Sequence, residues 1–397
     1  MKFYQHRSEI DLSKYLIATY KMTSSTSLDD AAWNLAIGQS VGNPNVRNEW
    51  ETDELFENHS CIILADKLAL AQSKEGIVEI AFPVANTDWA TDGINHLICQ
   101  LMGGHVDIDC VTGCRLVKLE LPETVTRHFL GPKFGLTGIR AHTGQYGKPL
   151  FGSIVKPKIG ITPEVMLEMV KQMVDGGVDF IKEDEIMSNP ACAPLERRVE
   201  LVANYLAKQS RKIVFCHTIN CDPHVLVDRV CRVHELGGTG VHVNVFSGLG
   251  TYNAIRKLDL PLFLHFQKSG DKLMTDVKHR FSISWPVVCQ LATLMGVDTI
   301  QTGMMGGYSN DDPVELEQAL EVLRAGNTLP ALSCGFHPGL VEKITALAGN
   351  DYLANVGGAV HGHPGGTVAG ATAMRQAIDK TYGPEYDQAI AKWGLIE

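Results

Sequence analysis

The sequence predicts an α/β chain in two parts: an α+β domain of ferredoxin-like layout over residues 1–130, then a (β/α)8 TIM barrel over residues 131–397. Three observations predict it. From about Phe151 onward, short apolar strands alternate with helices through eight units, the texture of a closed parallel barrel. Polar, charged or glycine residues stand at the carboxyl end of each of those strands, where such barrels carry their chemistry. Ahead of them runs a strand–helix–strand–strand–helix–strand order, which a ferredoxin-like sandwich requires. The competing fold is a doubly wound open sheet, which rarely carries so many regular units.

In the first part, Tyr15–Tyr20 reads as a strand. Leu28–Gly38 reads as a helix, with Ser27 as its cap and Asp29 and Asp30 in the first turn. Ser60–Ala65 and Gly76–Phe82 read as strands, Ile94–Leu101 as a helix, and Cys114–Leu121 alternates like a half-exposed strand. Gly131-Pro132-Lys133-Phe134-Gly135 marks the boundary. The barrel strands are Gly152–Val155, Phe180–Lys182, Ile213–His217, Gly240–Asn244, Leu262–His265, Thr299–Thr302, Ala331–Ser333 and Leu353–Val356. The helices between them cover Thr162–Asp175, Pro194–Gln209, Pro223–Leu236, Tyr252–Lys257, Pro286–Met295, Pro313–Ala325 and Gly339–Ala348, and a last one runs from Thr367 to Tyr382.

Composition narrows the function classes. The formal net charge is −10 with no basic cluster, which argues against nucleic acid. No apolar run approaches membrane-spanning length, and the amino terminus lacks the layout of a secretory signal. The ten cysteines are scattered; Cys216 with Cys221, or Cys110 with Cys114, has no matching second pair for a zinc site. A cytoplasmic protein with reduced thiols is the expectation.

The candidate chemistry centres on Phe180-Ile181-Lys182-Glu183-Asp184-Glu185. Alternation along a strand puts Phe180, Lys182 and Asp184 on one side. Buried charges of this density must pair or hold a metal. Asp184 and Glu185 offer hard oxygen ligands suited to Mg2+, and Lys182 becomes an oxygen ligand if CO2 caps it as a carbamate. A strand-end salt bridge is the competing reading. Lys156 and Lys158 follow the first strand at strand-like spacing and are candidate acid–base groups beside a metal; pairing with a neighbouring strand end is the alternative. His265 ends the fifth strand as a catalytic candidate or a structural histidine, and Lys268 stands just beyond it. Gly335, Gly357 and Gly358, after the last two strands, suit a phosphate site or tight corners. Cys334 is a nucleophile candidate whose alternative is a buried inert thiol.

These residues resemble the large subunit of RuBisCO, and more closely the RuBisCO-like (form IV) proteins. The resemblance runs through nearly the whole chain and rests on Gly131–Gly135, Lys156-Pro157-Lys158-Ile159-Gly160, Gly176-Gly177 through Glu185, Ser333–His337 and Gly357–Pro364. It implies that Lys182 is the carbamylated lysine, that Asp184 and Glu185 complete the Mg2+ site, and that Lys156 assists proton abstraction. It also implies that Ser333, Gly335, Gly357 and Gly358 line the substrate end, the glycines at one phosphate.

The departures point away from CO2 fixation. A lysine of the family's loop after strand six is replaced in Gly303-Met304-Met305-Gly306-Gly307-Tyr308 by Tyr308. Lys268, a candidate for binding substrate or phosphate, and Gln301 stand where an arginine and a histidine hold a second phosphate in the family, so a bisphosphate is poorly served, and Ala36–Pro44 lacks the glutamate given to a partner's site. The resemblance therefore implies an enediolate-forming enzyme acting on a singly phosphorylated keto sugar or sugar acid, by enolisation or decarboxylation, of the 3-oxo-isoapionate 4-phosphate type. The alternative is a methionine-salvage enolase or isomerase on methylthio-sugar phosphates. That enolase is resembled at Asn244-Val245-Phe246 and His361–Pro364, but its base lysine has no counterpart in Leu101–His105. A non-catalytic binding or regulatory protein is the reading from another class. The resemblance implies a homodimer or higher homo-oligomer, with Asn43 and Gln100 facing the partner's barrel mouth.

Overall fold

The computed structural model describes residues 3–306, 308 and 311–396. Gly307 of the glycine-rich loop and Met1 and Lys2 of the amino-terminal stretch lie outside them. Two compact units divide the chain: residues 1–129 with 271–291, and residues 130–270 with 292–397.

The first unit is built on a sheet. Its strands are β1 (Tyr15–Ser24), β2 (Ile62–Ile63), β3 (Glu75–Pro83), β4 (Val111–Glu120) and, from the second segment, β10 (Phe281–Ile283). They lie in the order β10-β4-β1-β3-β2, with β1 antiparallel to both β3 and β4. The helix Leu28–Gly38 starts where expected, because the Ser27 side chain accepts the Asp30 N–H. Its Leu28, Ala31, Ala32, Leu35 and Ala36 are buried at helical spacing. Strand β10 pairs in parallel with β4, Phe281 opposite Cys114 and Ile283 opposite Leu116. The sequence reading left residues 271–291 inside the barrel segment. Three residues, Phe-Ser-Ile, are too few to show a period of two, so nothing local marks this strand.

The second unit is a closed parallel barrel of β5 (Leu150–Ile154), β6 (Phe180–Lys182), β7 (Val214–Thr218), β8 (Gly240–Asn244), β9 (Phe263–Gln267), β11 (Thr299–Gly303), β12 (Leu329–Leu332) and β13 (Leu353–Val356). This is the TIM barrel expected. Alternation along each strand divides the core into two layers. Leu150, Phe180, Val214, Cys216, Phe263, Leu329, Ala331 and Leu353 pack inside the barrel. Phe151, Ile181 and Phe215, their neighbours in sequence, pack outward against Val170, Met173, Val202 and other helical residues.

A helix not expected from the sequence, Gly135–Thr143, precedes β5, and its Ile139 joins the inner layer. Asp298 fixes it there. One Asp298 oxygen accepts the Phe134 and Gly135 N–H groups at 2.8 Å, while the other takes Arg256 at 2.6 Å and the Leu264 N–H at 2.9 Å. No helix among the described residues is long and apolar enough to cross a membrane.

Candidate functional site

Strand β6 ends on Lys182, and the chain leaves the barrel through Glu183, Asp184 and Glu185. Lys182 is fully buried. Its amine donates to the Glu183 carbonyl at 3.0 Å and lies 3.3 Å from Glu185 Oε2. Burial holds the amine below its ordinary pKa, against the opposing pull of Glu185 and Asp184. Glu185 Oε1 accepts from Ser269 Oγ at 2.6 Å. Burial pushes the Glu185 carboxyl up, but Lys182 and the Ser269 hydroxyl outweigh it and bring it down to about 2. Asp184 is buried, and its Oδ2 accepts from Lys156 Nζ at 2.5 Å.

Glu183 takes another direction. The strand alternation turns it outward, where it receives Arg198 Nε at 2.9 Å and Nη2 at 3.1 Å from the helix Leu195–Leu206. It also meets His217 Nδ1 at 2.9 Å and the Thr218 N–H at 2.9 Å. Burial opposes its charge, yet His217 and Arg198 hold the carboxyl well below the usual range. Of three consecutive acids, two face the mouth chemistry and one anchors the strand that carries them.

The other candidates are placed as follows. Lys156 lies beyond the end of β5 and reaches back to Asp184; a Cβ on Gly357 would stand 3.4 Å from its Cε. Lys156 therefore sits between a candidate metal carboxylate and the glycines after β13. Lys158 is exposed and does not share this direction, since β5 stops at Ile154 and strand alternation no longer applies. His265 lies inside β9, fully buried, its ring 5.6 Å from Phe180 and 6.0 Å from the ring of His242. None of the four ring nitrogens of His242 and His265 has a hydrogen-bond partner among the described residues. Lys268 is bound to Asp311 at 2.8 Å. Ser333 is buried with its Oγ 3.4 Å from Cys334 Sγ. Cys334 and Gly335 both have left-handed backbone, at φ 74° and 105°. Gly358 opens onto free space.

The neutral histidines give the barrel a pH response. Burial, with Lys182 nearby, holds both His242 and His265 well below their ordinary value of 6.5. The unfolded chain binds these protons as pH falls below 6.5 and the folded barrel does not, so stability is present above that value and is lost below it. The slope is at most about 2.7 kcal/mol per pH unit for two such groups. Urea midpoints at roughly pH 7.5 and 5.5 should differ accordingly, and the H242F variant should flatten the profile. A flat wild-type profile would contradict this account.

Sequence reasoning missed Ser269, Asp311 and the Arg198–His217 clasp. The last had a signal: at a period of two, Glu183 must face the helices, and Arg198 stands in the next one.

Among the described residues no group of three His, Cys, Asp or Glu side chains converges as a ready cradle for a metal. Asp184 and Glu185 supply two hard carboxylates, and the position beside them is the Lys182 amine. The donor set fits Mg2+ once that nitrogen bears a carbamate, which turns a cation into an oxygen ligand.

A parallel eight-strand barrel with titratable groups gathered at its carboxyl end is the architecture of a TIM-barrel enzyme. The model of the ribulose bisphosphate carboxylase large chain, catalytic domain, matches residues 135–326 and 315–394. A 2,3-diketo-5-methylthiopentyl-1-phosphate enolase of Exiguobacterium sibiricum is 30% identical over 96% of this chain and 100% of its own. A 3-oxo-isoapionate-4-phosphate decarboxylase of Rhizobium etli is 30% identical over 90% of this chain and 91% of its own. The crystal structure of octameric ribulose-1,5-bisphosphate carboxylase/oxygenase from Pyrococcus horikoshii superposes with a TM-score of 0.90 at 25% identity, covering 100% of this chain and 97% of that one. The chain belongs to the ribulose bisphosphate carboxylase large-chain family.

Proposed function

We propose that the chain is a RuBisCO-like, Mg2+-dependent enzyme that forms an enediolate from a singly phosphorylated keto sugar or sugar acid, by enolisation or decarboxylation, and does not fix CO2. One observation carries the reading: the buried Lys182 amine, held below its ordinary pKa beside Asp184 and Glu185. A stability-driven design would not keep such a cluster, because burying charges is costly. It also argues against a purely binding or regulatory protein.

Within this reading Lys182, as its carbamate, with Asp184 and Glu185 holds Mg2+. The ion, when bound, polarises the substrate carbonyl and neutralises charge on its oxygens. Ser269 fixes the Glu185 carboxylate through its 2.6 Å bond. Lys156 moves the proton: its Nζ stands between Asp184 and Gly357, beside a phosphate held at Gly335, Gly357 and Gly358. Ser333 orients the substrate at the same end. His265 backs Lys182 from within the barrel as an uncharged ring, and exposed Lys158 draws the anion toward the mouth. Tyr308, 83% exposed, offers no cation to a newly formed carboxylate, which disfavours carboxylation.

The enolase relative favours the second reading, a methylthio-sugar phosphate as substrate; the decarboxylase relative favours the sugar-acid branch. We further propose a cytoplasmic homodimer or higher assembly, in line with the octameric solved relative. Asn43 and Gln100 would face the partner's site.

The deciding experiment follows deuterium uptake from solvent and CO2 release by NMR, with and without Mg2+. The substrates are 2,3-diketo-5-methylthiopentyl-1-phosphate, 3-oxo-isoapionate-4-phosphate, and ribulose bisphosphate with bicarbonate. Mg2+-dependent exchange or CO2 loss is expected with one of the first two. Carboxylation of the bisphosphate would refute the reading.

A further inference from the structure

Three lysines around the end of the barrel are matched one to one with carboxylates: Lys156 with Asp184 at 2.5 Å, Lys182 with Glu185 at 3.3 Å, and Lys268 with Asp311 at 2.8 Å. The first two pairs belong to the site described above. The third has no role in it.

Lys268 directly follows β9 and precedes Ser269, the residue that fixes Glu185. Its Nζ also donates to the Thr302 carbonyl in β11 at 3.2 Å. Asp311 approaches from the far side of the loop after β11. Its Oδ2 accepts the Met304 N–H at 3.1 Å, and a Cβ on Gly303 would stand 2.5 Å from it, so a side chain there would have to displace the carboxylate. Both side chains are nearly inaccessible, at 9% and 5% exposure. Around the barrel the order runs β9-β11-β12-β13 on one side and β13-β5-β6-β7-β8-β9 on the other. The pair thus lies on the stretch of rim adjoining the glycines after β12 and β13, since β11 is the direct neighbour of β12. A ligand whose phosphate sits on those glycines has Lys268 and Asp311 beside it on the same rim.

We propose that Asp311 is a positioning residue that sets substrate specificity: by engaging Lys268 it cancels the cation that would draw a second anionic group to this side of the mouth. The site then takes a ligand with one phosphate and an uncharged far end. This rests on the singly phosphorylated reading above and assigns the residue that enforces it. A lone ammonium would attract a second phosphate, whereas a buried neutral pair gives it no compensation for lost water and sets a carboxylate against it. Selection by a built-in repulsive group is a common route to specificity.

The test is calorimetric binding to the full chain in Mg2+ and bicarbonate. The matched probes are ribulose 1-phosphate, ribulose 5-phosphate and ribulose 1,5-bisphosphate. Wild type should bind a monophosphate at least as tightly as the bisphosphate. D311N should tighten bisphosphate binding by about tenfold or more while monophosphate affinity stays within about twofold. D311E, which keeps the charge, should leave the ratio unchanged. K268Q should move it the other way, because the Asp311 charge is then no longer offset by the Lys268 ammonium. If D311N fails to fold, shown by lost monophosphate binding, the K268Q and D311E ratios decide. An unchanged ratio in both D311N and K268Q, with monophosphate binding intact, overturns the proposal. A wild-type preference for the bisphosphate of about tenfold or more instead overturns the single-phosphate reading, and that is measured before any variant is made.

Discussion

Replacing Lys182 with arginine should abolish Mg2+-dependent deuterium exchange, with a loss on the order of a thousandfold. The reason lies in what the position must supply. Lys182 is fully buried, and its amine is held below its ordinary pKa by desolvation. A neutral amine is the form that attacks CO2, and in the proposed site the resulting carbamate would add an oxygen to the two carboxylates of Asp184 and Glu185. Arginine keeps positive charge and stays protonated, so it cannot make that ligand. The wild-type protein incubated with 13C-bicarbonate and Mg2+ should show a carbamate carbon resonance, and K182R should show none. An active K182R enzyme would remove Lys182 from the metal site. An active wild-type enzyme without the resonance would leave the lysine in place but unmodified.

The largest stability effect is expected from Glu183→Gln, a loss of about 3–5 kcal/mol in urea unfolding. Arg198 is fully buried and gives two of its nitrogens to Glu183; its other bonds go to the carbonyls of Ala193 and Ser188. Neutralising Glu183 leaves a guanidinium in the interior without its counter-charge, the costly half of a broken buried pair. The Thr218 N–H and His217 lose a charged acceptor as well. The pH dependence has a definite sign. Glu183 titrates below its ordinary value of 4.5 when folded, so its contribution is present above that value and fades as pH falls below it. E183Q should therefore be less stable at neutral pH and show a weaker acid-side decline. Combining E183L with R198M should recover part of the loss by removing both charges, though not the Thr218 N–H partner. Unchanged stability in E183Q would mean that Arg198 finds compensation elsewhere.

The barrel was legible because its pattern repeats. The strand β8 is Gly240–Asn244 and β13 is Leu353–Val356, as their apolar runs and turn residues indicate. The ligand stretch was legible because lysine and carboxylates crowd where apolar residues end. What stayed hidden depended on long-range pairing. Asp311 reads as one of two aspartates before a proline, where Asp312 caps the helix Pro313–Ala325 and gives the stretch a sufficient local purpose. Lys268 lies 43 residues away, and nothing in either neighbourhood announces the other. The helix Gly135–Thr143 was hidden by its glycines and by a boundary motif that looks like a linker; its place depends on Asp298, again a distant partner. Lys158 was misdirected by extending strand alternation past Ile154.

The helix Gly135–Thr143 has a kinetic corollary. Ile139 and Arg140 are buried at the amino ends of the strands, where Ile139 packs on Leu150, Phe180 and Val214, and Arg140 ties down the carbonyls of Gln145, Lys148 and Asn350. The amino end of the barrel is therefore filled by side chains, and a ligand meets Lys182 from the carboxyl end of the strands. A product still held there occupies the place of the next substrate, so inhibition by product should be competitive.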